Sequence, residues 1–350
     1  MKRVKFLIFA DLHYKKRMYA VTVEHLQKIL ARAEREQCDL ILHAGDLCND
    51  YGGSPELLSP LLRASLPMLG VYGNHELESR GNSMENVTPK LTNRGDSVCW
   101  GSASGRMEAD KVGYYYYDSH GFRFVCTDTN YSLMPDGITY QHNTAGSWGK
   151  PDENTASDSL GREQLAWLER VLTDAAQRSL RCIVVSHASF VDWGTWGSSA
   201  DAEAVRRIYR KVNGIRAGTV MMSINGHYHT DHAMLFEDVV YLDVNAALVG
   251  WWQGEKFDPY GDGNDKETPY TFPFSDYDGE GNVTGKESIP LASLRMGRQS
   301  LFFEEPLSAV VTAFEDGRIE IQGSQTRWNF GICNTSLAEG VRPSISNHVF

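Results

Sequence analysis

Short apolar runs alternate with amphipathic segments along the first part of the chain, and this pattern predicts parallel strands joined by helices. Residues 4–10 and 40–44 are almost entirely apolar, as is typical of strands that are covered on both faces. Between them, residues 22–37 carry apolar side chains at helical spacing. A third apolar run, residues 68–72, follows a helix that begins at Pro55. The order strand, helix, strand, helix, strand predicts an α/β fold.

The rest of the chain predicts further elements around an insertion. They are a hairpin of residues 114–118 and 122–127, a polar surface loop at 134–157, helices at 162–177 and 202–212, strands at 182–185 and 220–224, and closing antiparallel strands at 239–242 and 309–322. Residues 250–305 form a polar insertion that is also a candidate subunit interface. We expect one domain over residues 1–333 and a C-terminal tail at 334–350.

The apolar runs of the predicted parallel strands end in short polar blocks. The blocks are Asp11-Leu12-His13, Gly45-Asp46-Leu47-Cys48-Asn49, Gly73-Asn74-His75-Glu76, Ser186-His187 and Gly226-His227-Tyr228-His229. Because the carboxyl ends of parallel strands meet at one edge of a sheet, where α/β proteins bind ligands, we expect these side chains to gather there. The glycines are predicted to form the turns that aim them.

Charge and length narrow the class of partner. At 350 residues the chain is long enough to bury a large core. Its formal net charge is −11, from 34 basic and 45 acidic residues. Nucleic acid and anionic membranes attract basic patches, so this balance favours neither as the partner.

Cysteine usage and hydropathy predict a cytoplasmic protein. The six cysteines show no regular or metal-finger spacing, and Cys38, Cys126 and Cys182 lie in or beside apolar segments, which favours reduced thiols. No apolar run is long enough to cross a bilayer. The apolar start of the chain is interrupted by Asp11 and His13 without a small-residue cleavage site, so it is interpreted as a strand and not as a signal peptide.

The polar blocks together supply the donors of a metal site. The candidate residues are Asp11, His13, Asp46, Asn74, His75, His187, His227 and His229. Nitrogen and oxygen ligands of this kind suit Mn, Fe or Zn. Two ions need about three or four protein ligands each. Asp46 is the natural bridge, because its two carboxylate oxygens can serve both ions.

The series of blocks resembles the calcineurin-like metallophosphoesterases. All five blocks of that pattern are present in order, each at the end of an apolar run, and the resemblance covers residues 4–229. It implies an α/β fold of two packed mixed β-sheets flanked by helices, with the metal ions at the strand ends between them. It also implies a metal-dependent hydrolase that acts on a small-molecule phosphomonoester or phosphodiester.

The resemblance implies a role for each matching residue. The first ion is held by Asp11, His13, Asp46 and His229, and the second by Asp46, Asn74, His187 and His227. A hydroxide that bridges the ions then attacks phosphorus in line with the leaving oxygen. His75 is implied as general acid or transition-state stabiliser, and Glu76 and Asn49 as groups that fix the ligands or their loops.

At two positions the sequence differs from well-known branches of the family, and the substrate and the identity of the metal therefore stay open. Protein serine/threonine phosphatases continue the second block to Arg-Gly, where this chain has Asp50-Tyr51. Purple acid phosphatases place a tyrosine ligand three residues after the shared aspartate, where this chain has Asn49. The alternative function is a catalytically silent scaffold of the same fold that binds proteins. Such relatives tend to lose ligands, whereas this chain keeps all of them.

Residues outside the blocks suggest weaker hypotheses. A stretch that nearly fits a calcium loop has the candidate ligands Asp276, Asp278, Glu280 and Glu287, but Pro273 and Pro290 flank it and a polar turn is preferred. Four further histidines are predicted to be structural: His43, His120, His142 and His232. Five tryptophans in loop-like stretches could rim the site or fix the loops: Trp148, Trp193, Trp196, Trp251 and Trp252.

Overall fold

Two mixed β-sheets pack face to face with helices on their outer sides. The computed structural model describes residues 2–14, 23–48, 55–77, 82–95, 97–107, 112–142, 156–193, 198–251, 271–278, 283–290, 300–327 and 343–350. Apolar side chains of both sheets share one core, in which the rings of Phe6 and Phe124 meet edge to face at 5.5 Å. The α/β fold expected from the sequence is confirmed.

Each α-helix in the described ranges lies between two strands along the chain. The helices are α1 (Val23–Arg35), α2 (Pro55–Leu62), α3 (Met84–Val87), α4 (Arg162–Gln177) and α5 (Ala202–Ile215). The strands are β1 (Arg3–Phe9), β2 (Leu40–His43), β3 (Met68–Gly70), β4 (Cys99–Trp100), β5 (Tyr115–Ser119), β6 (Phe122–Cys126), β7 (Tyr131–Leu133), β8 (Tyr140–His142), β9 (Ala156–Ser159), β10 (Arg181–Val185), β11 (Val220–Asn225), β12 (His232–Phe236), β13 (Val239–Asp243), β14 (Val249–Trp251), β15 (Thr271–Tyr277), β16 (Val283–Pro290), β17 (Ser300–Phe302), β18 (Ala309–Phe314), β19 (Ile319–Gln322) and β20 (His348–Val349).

Parallel strands form one half of the first large sheet and the centre of the second. The first sheet has the order β20-β19-β18-β1-β2-β3, and β1, β2 and β3 run parallel. The second has the order β12-β13-β11-β10-β6-β5-β4, and β6, β10, β11 and β13 run parallel. The carboxyl ends of the central strands therefore form one edge in each sheet, as the sequence predicted.

The amphipathic helices cover the sheets through their apolar faces. Helices α1 and α2 belong to the core that the two sheets share, with Leu26 and Ile29 of α1 fully buried. Helices α4 and α5 pack with the outer face of the second sheet in a separate cluster, which contains Leu168 and Val205. The helical spacing of apolar residues had predicted α4 with its observed bounds.

The sequence-based prediction missed or misplaced several short strands. Residues 239–242 were expected to be a closing antiparallel strand, but β13 pairs in parallel with β11 and is antiparallel only to β12. The hairpin of β12 and β13 turns through Glu237 and Asp238, both with positive φ, instead of the Asn-Gly that usually marks such a turn. The expected surface loop at 134–157 contains β8 and part of β9, which pair with β7.

The expected insertion contains β14 to β17, which pair as β14 with β17 and β15 with β16. The expected tail is described only over residues 343–350, where β20 pairs with β19 and Ile345 is buried.

The cysteines at positions 38, 48, 99, 126 and 182 are free thiols. None of the helices in the described ranges is long and apolar enough to span a membrane.

Candidate metal centre

Carboxylates and imidazoles converge where the carboxyl ends of the central strands meet. Three groups of residues each bring their ligand atoms within 4.8 Å of one another. The groups are Asp11 with His13 and His229, His13 with Asp46 and His75, and Asp46 with His187 and His227. Asp46 joins two of the groups. A carboxylate that is close to imidazoles on both sides suits a residue shared by two cations.

The imidazole nitrogens face one another across the centre. Nε2 of His13 lies 3.0 Å from Nε2 of His229. Nε2 of His187 lies 3.1 Å from Nδ1 of His227 and 3.1 Å from Oδ1 of Asn74. Nitrogen and oxygen donors within 4.8 Å of one another are the kind that transition-metal ions bind, so these residues could hold such an ion.

Two glycines allow the ligand turns to approach so closely. Gly45 has a φ of +92°, in the left-handed region that favours glycine. A Cβ at Gly73 would lie 2.1 Å from Oδ1 of Asp46, so no larger residue fits beside that carboxylate. The glycines predicted to form turns are therefore also needed for close packing of one ligand turn against another.

Most of the converging residues have an unusual backbone conformation. Positive φ angles of 50–75° occur at Asp11 (52°), His13 (51°), Asp46 (50°), His227 (75°) and His229 (53°). A left-handed conformation costs a non-glycine residue about 1 kcal/mol or more. The surrounding fold holds this strain, and it thereby presents the ligand atoms in one arrangement.

Glu76 ties two of the ligand turns together. Its buried carboxylate accepts hydrogen bonds from the backbone N–H groups of Asp46 at 2.9 Å, of Leu47 at 2.6 Å and of Gly73. Burial and the nearby Asp46 raise the pKa of Glu76 to about 7. The hydrogen bonds agree with the loop-fixing role expected for this residue; Asn49, expected to act similarly, lies outside the described residues.

The buried carboxylates and imidazoles at the centre shift one another's pKa values. Burial alone would raise the pKa of Asp46, but His187, His75 and His13 hold it well below its usual value. Burial would lower the pKa of His187, but Asp46, whose Oδ2 lies 3.2 Å from Nε2 of His187, raises it to about 10. Burial lowers the pKa of His13 to about 3. Without metal, these pKa values make the His187 side chain a doubly protonated imidazolium near neutral pH and leave that of His13 neutral.

Binding of a metal ion beside His187 is expected to release about one proton at pH 8, because ligation needs the lone pair that the proton occupies below a pKa of about 10. The apparent affinity should therefore rise with pH up to about 10. Titration calorimetry with Mn²⁺ in buffers of different ionisation enthalpy measures the released proton directly. An enthalpy that is the same in all buffers would contradict the protonation state assigned to His187.

The sequence-based candidates outside the blocks have varied surroundings. His43 is fully buried, and neither of its ring nitrogens has a hydrogen-bond partner among the described residues. The ring of Trp193 stacks on that of His232 at 5.2 Å, while Trp148, Trp196 and Trp252 lie outside the described residues. The calcium-like stretch runs between the antiparallel strands β15 and β16 and not between helices, and its Glu280 also lies outside the described residues.

Two buried Asp–Asn pairs beside the ligand turns were missed by the sequence-based analysis. Asn225 donates from Nδ2 to the carbonyl of Gly226 at 2.9 Å and to Asp243 at 2.7 Å. The pair of Asp128 and Asn130 follows β6. Both pairs lie at the carboxyl ends of parallel strands, so the rule that identified the metal blocks would have identified them too.

Comparison with known proteins agrees with this geometry. The sequence profile of the calcineurin-like phosphoesterases matches residues 4–231. A dimetal phosphatase from Danio rerio has the same fold, with a TM-score of 0.56 at 16% identity over 91% of this chain and 95% of that one. The Plasmodium protein GAP50, an anchor in the inner membrane complex, gives 0.48 at 10% identity over 99% and 90% of the two chains. No curated protein matches the sequence.

The family profile extends from β1 to the residues that follow the last histidine block, and so it spans the whole candidate metal centre. The blocks it covers are those that the two sheets bring to one edge. On both grounds, the chain belongs to the calcineurin-like phosphoesterase family.

Proposed function

We propose that this protein is a dinuclear metal-dependent hydrolase of a small-molecule phosphomonoester or phosphodiester. The observation that carries the proposal is the position of Asp46, which belongs to two separate groups of potential metal ligands. Membership of the calcineurin-like phosphoesterase family supports hydrolysis of a phosphate ester as the reaction. The acidic net charge of −11 argues for a small substrate over nucleic acid.

The proposed ligands divide between two ions. The first ion takes Asp11, His13, Asp46 and His229, and the second takes Asp46, Asn74, His187 and His227. The nearness of Asn74 Oδ1 to Nε2 of His187, 3.1 Å, supports placing the carboxamide with the second set. Bound cations would lower the pKa of a water and neutralise charge on the phosphoryl oxygens. Mn, Fe and Zn all suit this mixture of oxygen and nitrogen donors.

His75 is the residue proposed to act on the substrate itself. Its Nε2 lies 3.9 Å from Oδ2 of Asp46, and its ring packs edge to face on that of His13 at 4.9 Å. Its backbone N–H donates to Oδ1 of Asp46 at 2.9 Å, which anchors the residue independently of its side chain. The imidazole can then donate a proton to the leaving oxygen or a hydrogen bond to the phosphoryl group in the transition state.

The experiment that tests the function compares two chromogenic substrates, a nitrophenyl phosphate monoester and a bis-nitrophenyl diester. The protein is stripped of metal and reloaded separately with Mn, Zn or Fe. We expect turnover to return with at least one of these metals, and the preferred ester then identifies the substrate class. A folded protein that binds no metal and hydrolyses neither ester would overturn the proposal in favour of the silent scaffold.

A further inference from the structure

The two peptide groups that flank Gly73, just before the Asn74-His75 pair, are each held by a side chain. The N–H of Gly73 donates to the carboxylate of Glu76. The carbonyl of Gly73 accepts from Nδ2 of Asn130 at 3.0 Å. Asn130 is nearly fully buried and lies in the connection between β6 and β7, whereas Gly73 follows β3 of the other large sheet. The conformation of this turn therefore depends on a residue that is not itself in any group of potential ligands.

The orientation of Asn130 is in turn fixed by Asp128. Oδ1 of Asp128 accepts from the backbone N–H of Asn130 at 3.0 Å, and Oδ2 lies 2.8 Å from Nε2 of His142. The side chain of Gln164 bonds both the N–H and the carbonyl of Asp128, at 2.8 Å and 2.7 Å. Every polar group of this buried aspartate thus has a partner, which makes the segment a rigid support.

The surrounding packing leaves little room for the support to shift. A Cβ at Gly113 would lie 2.4 Å from Oδ2 of Asp128, so the backbone is pressed against the carboxylate. Asn225 makes the same type of bond to the carbonyl of Gly226, beside the turn that carries His227 and His229. An asparagine amide therefore holds the first glycine carbonyl in two of the ligand turns.

We propose that Asn130, oriented by Asp128, is a positioning residue that fixes the direction of Asn74 and His75 at the metal centre. This inference rests on the proposed function only in assigning Asn74 to the second ion. Without the amide of Asn130, the peptide group that joins Gly73 to Asn74 can rotate and carry the Asn74 side chain away from His187. Loss of such an outer contact typically weakens metal binding by about 10–100-fold.

The test measures Mn²⁺ binding by titration calorimetry on the metal-stripped full chain, with Asn130→Ala against the unchanged protein. We expect one of the two binding events, that of the ion assigned to Asn74, to lose about 10–100-fold in affinity and the other to stay within about threefold. Hydrogen–deuterium exchange of the metal-free protein should also quicken at residues 70–77, because local opening there becomes easier. This second measurement needs neither metal nor turnover.

Asn213→Ala is the matched control. Like Asn130, Asn213 donates from Nδ2 to a backbone carbonyl, that of Val220 at 3.0 Å, and its Oδ1 accepts from the Val220 N–H at 2.8 Å. Val220 begins β11, at the edge of the second sheet opposite to the ligand turns. Asn213→Ala should lower thermal stability without changing metal affinity. If Asn130→Ala does not fold, Asn130→Asp takes its place, because it keeps the shape but turns a carboxylate oxygen toward the Gly73 carbonyl.

Two substitutions at Asp128 distinguish the effect of its hydrogen bond to Asn130 from the effect of its negative charge. Asp128→Asn keeps an oxygen for the Asn130 N–H and should stay within about threefold of the unchanged protein, whereas Asp128→Ala should resemble Asn130→Ala. Unchanged metal affinity and unchanged exchange at residues 70–77 in the Asn130 variants would overturn the inference. Failure of the unchanged protein to bind Mn²⁺ would instead count against the proposed function, and the exchange measurement would still decide the role of Asn130.

Discussion

Asp46→Asn should abolish turnover and remove at least one of the two proposed ions. The carboxylate belongs to two ligand groups, and both of its oxygens are engaged: Oδ1 accepts from the His75 N–H at 2.9 Å and Oδ2 lies 3.2 Å from His187. The amide that replaces it has one oxygen and no charge. We expect kcat to fall by on the order of 10³-fold or more, which corresponds to about 4 kcal/mol of transition-state stabilisation.

The measurement pairs metal content with turnover. Metal per chain is determined by elemental analysis after reloading, and kcat with the preferred nitrophenyl ester. Asp136→Asn is the control, because Asp136 is an exposed carboxylate that caps a turn through Ile138 and Thr139. The Asp136→Asn variant should bind as much metal as the unchanged protein and hydrolyse the ester with the same kcat. Two bound ions and full activity in Asp46→Asn would rule out the shared-ligand role.

His75→Ala is expected to lower kcat by about 10²–10⁴-fold while both ions remain bound. The side chain is absent from both proposed ligand sets, and the backbone bond from His75 to Asp46 survives the substitution. Because His75 also lies in a group with His13 and Asp46, loss of an ion in this variant would show that it is a ligand. His120→Ala, which changes an exposed hairpin residue, should have no effect.

The leaving group distinguishes the two roles proposed for His75. A general acid matters more as the leaving alkoxide becomes more basic, so His75→Ala should lose more activity with phenyl phosphate than with nitrophenyl phosphate. A residue that only stabilises charge on the phosphoryl oxygens should give the same loss with both esters. The ratio of the two losses therefore assigns the role.

The sheet edge that carries the candidate metal centre could be predicted from the sequence, because the pattern that identifies it is local. Apolar runs that end in Asp, Asn or His need partners for those polar groups, and parallel strands gather such ends at one edge. Helix α4 could be predicted for a similar reason, since its apolar spacing is regular over 16 residues. In both cases the information lies within a few consecutive residues.

The features that the sequence did not predict depend on contacts between segments that are far apart along the chain. The strand-end rule marks the position of Asn130 but not its partner, because its amide donates to a carbonyl 57 positions away. Strand β12 is short, with exposed Leu235 and Phe236, and its turn uses Glu237 and Asp238 at positive φ, so propensity does not identify it. The pairing of β13 in parallel with β11 likewise follows from the order of the whole sheet.

The left-handed backbone at the candidate metal centre makes the proposed ligands of this chain easy to lose. At His13 and His229, with φ of 51° and 53°, glycine would remove a proposed ligand and relieve backbone strain in the same step. The relieved strain, about 1 kcal/mol, offsets part of the stability lost with the side chain. Where selection for turnover lapses, such changes can accumulate without unfolding the chain. A silent descendant would then keep the two sheets and carry glycines at the positions where the ancestor held its ions.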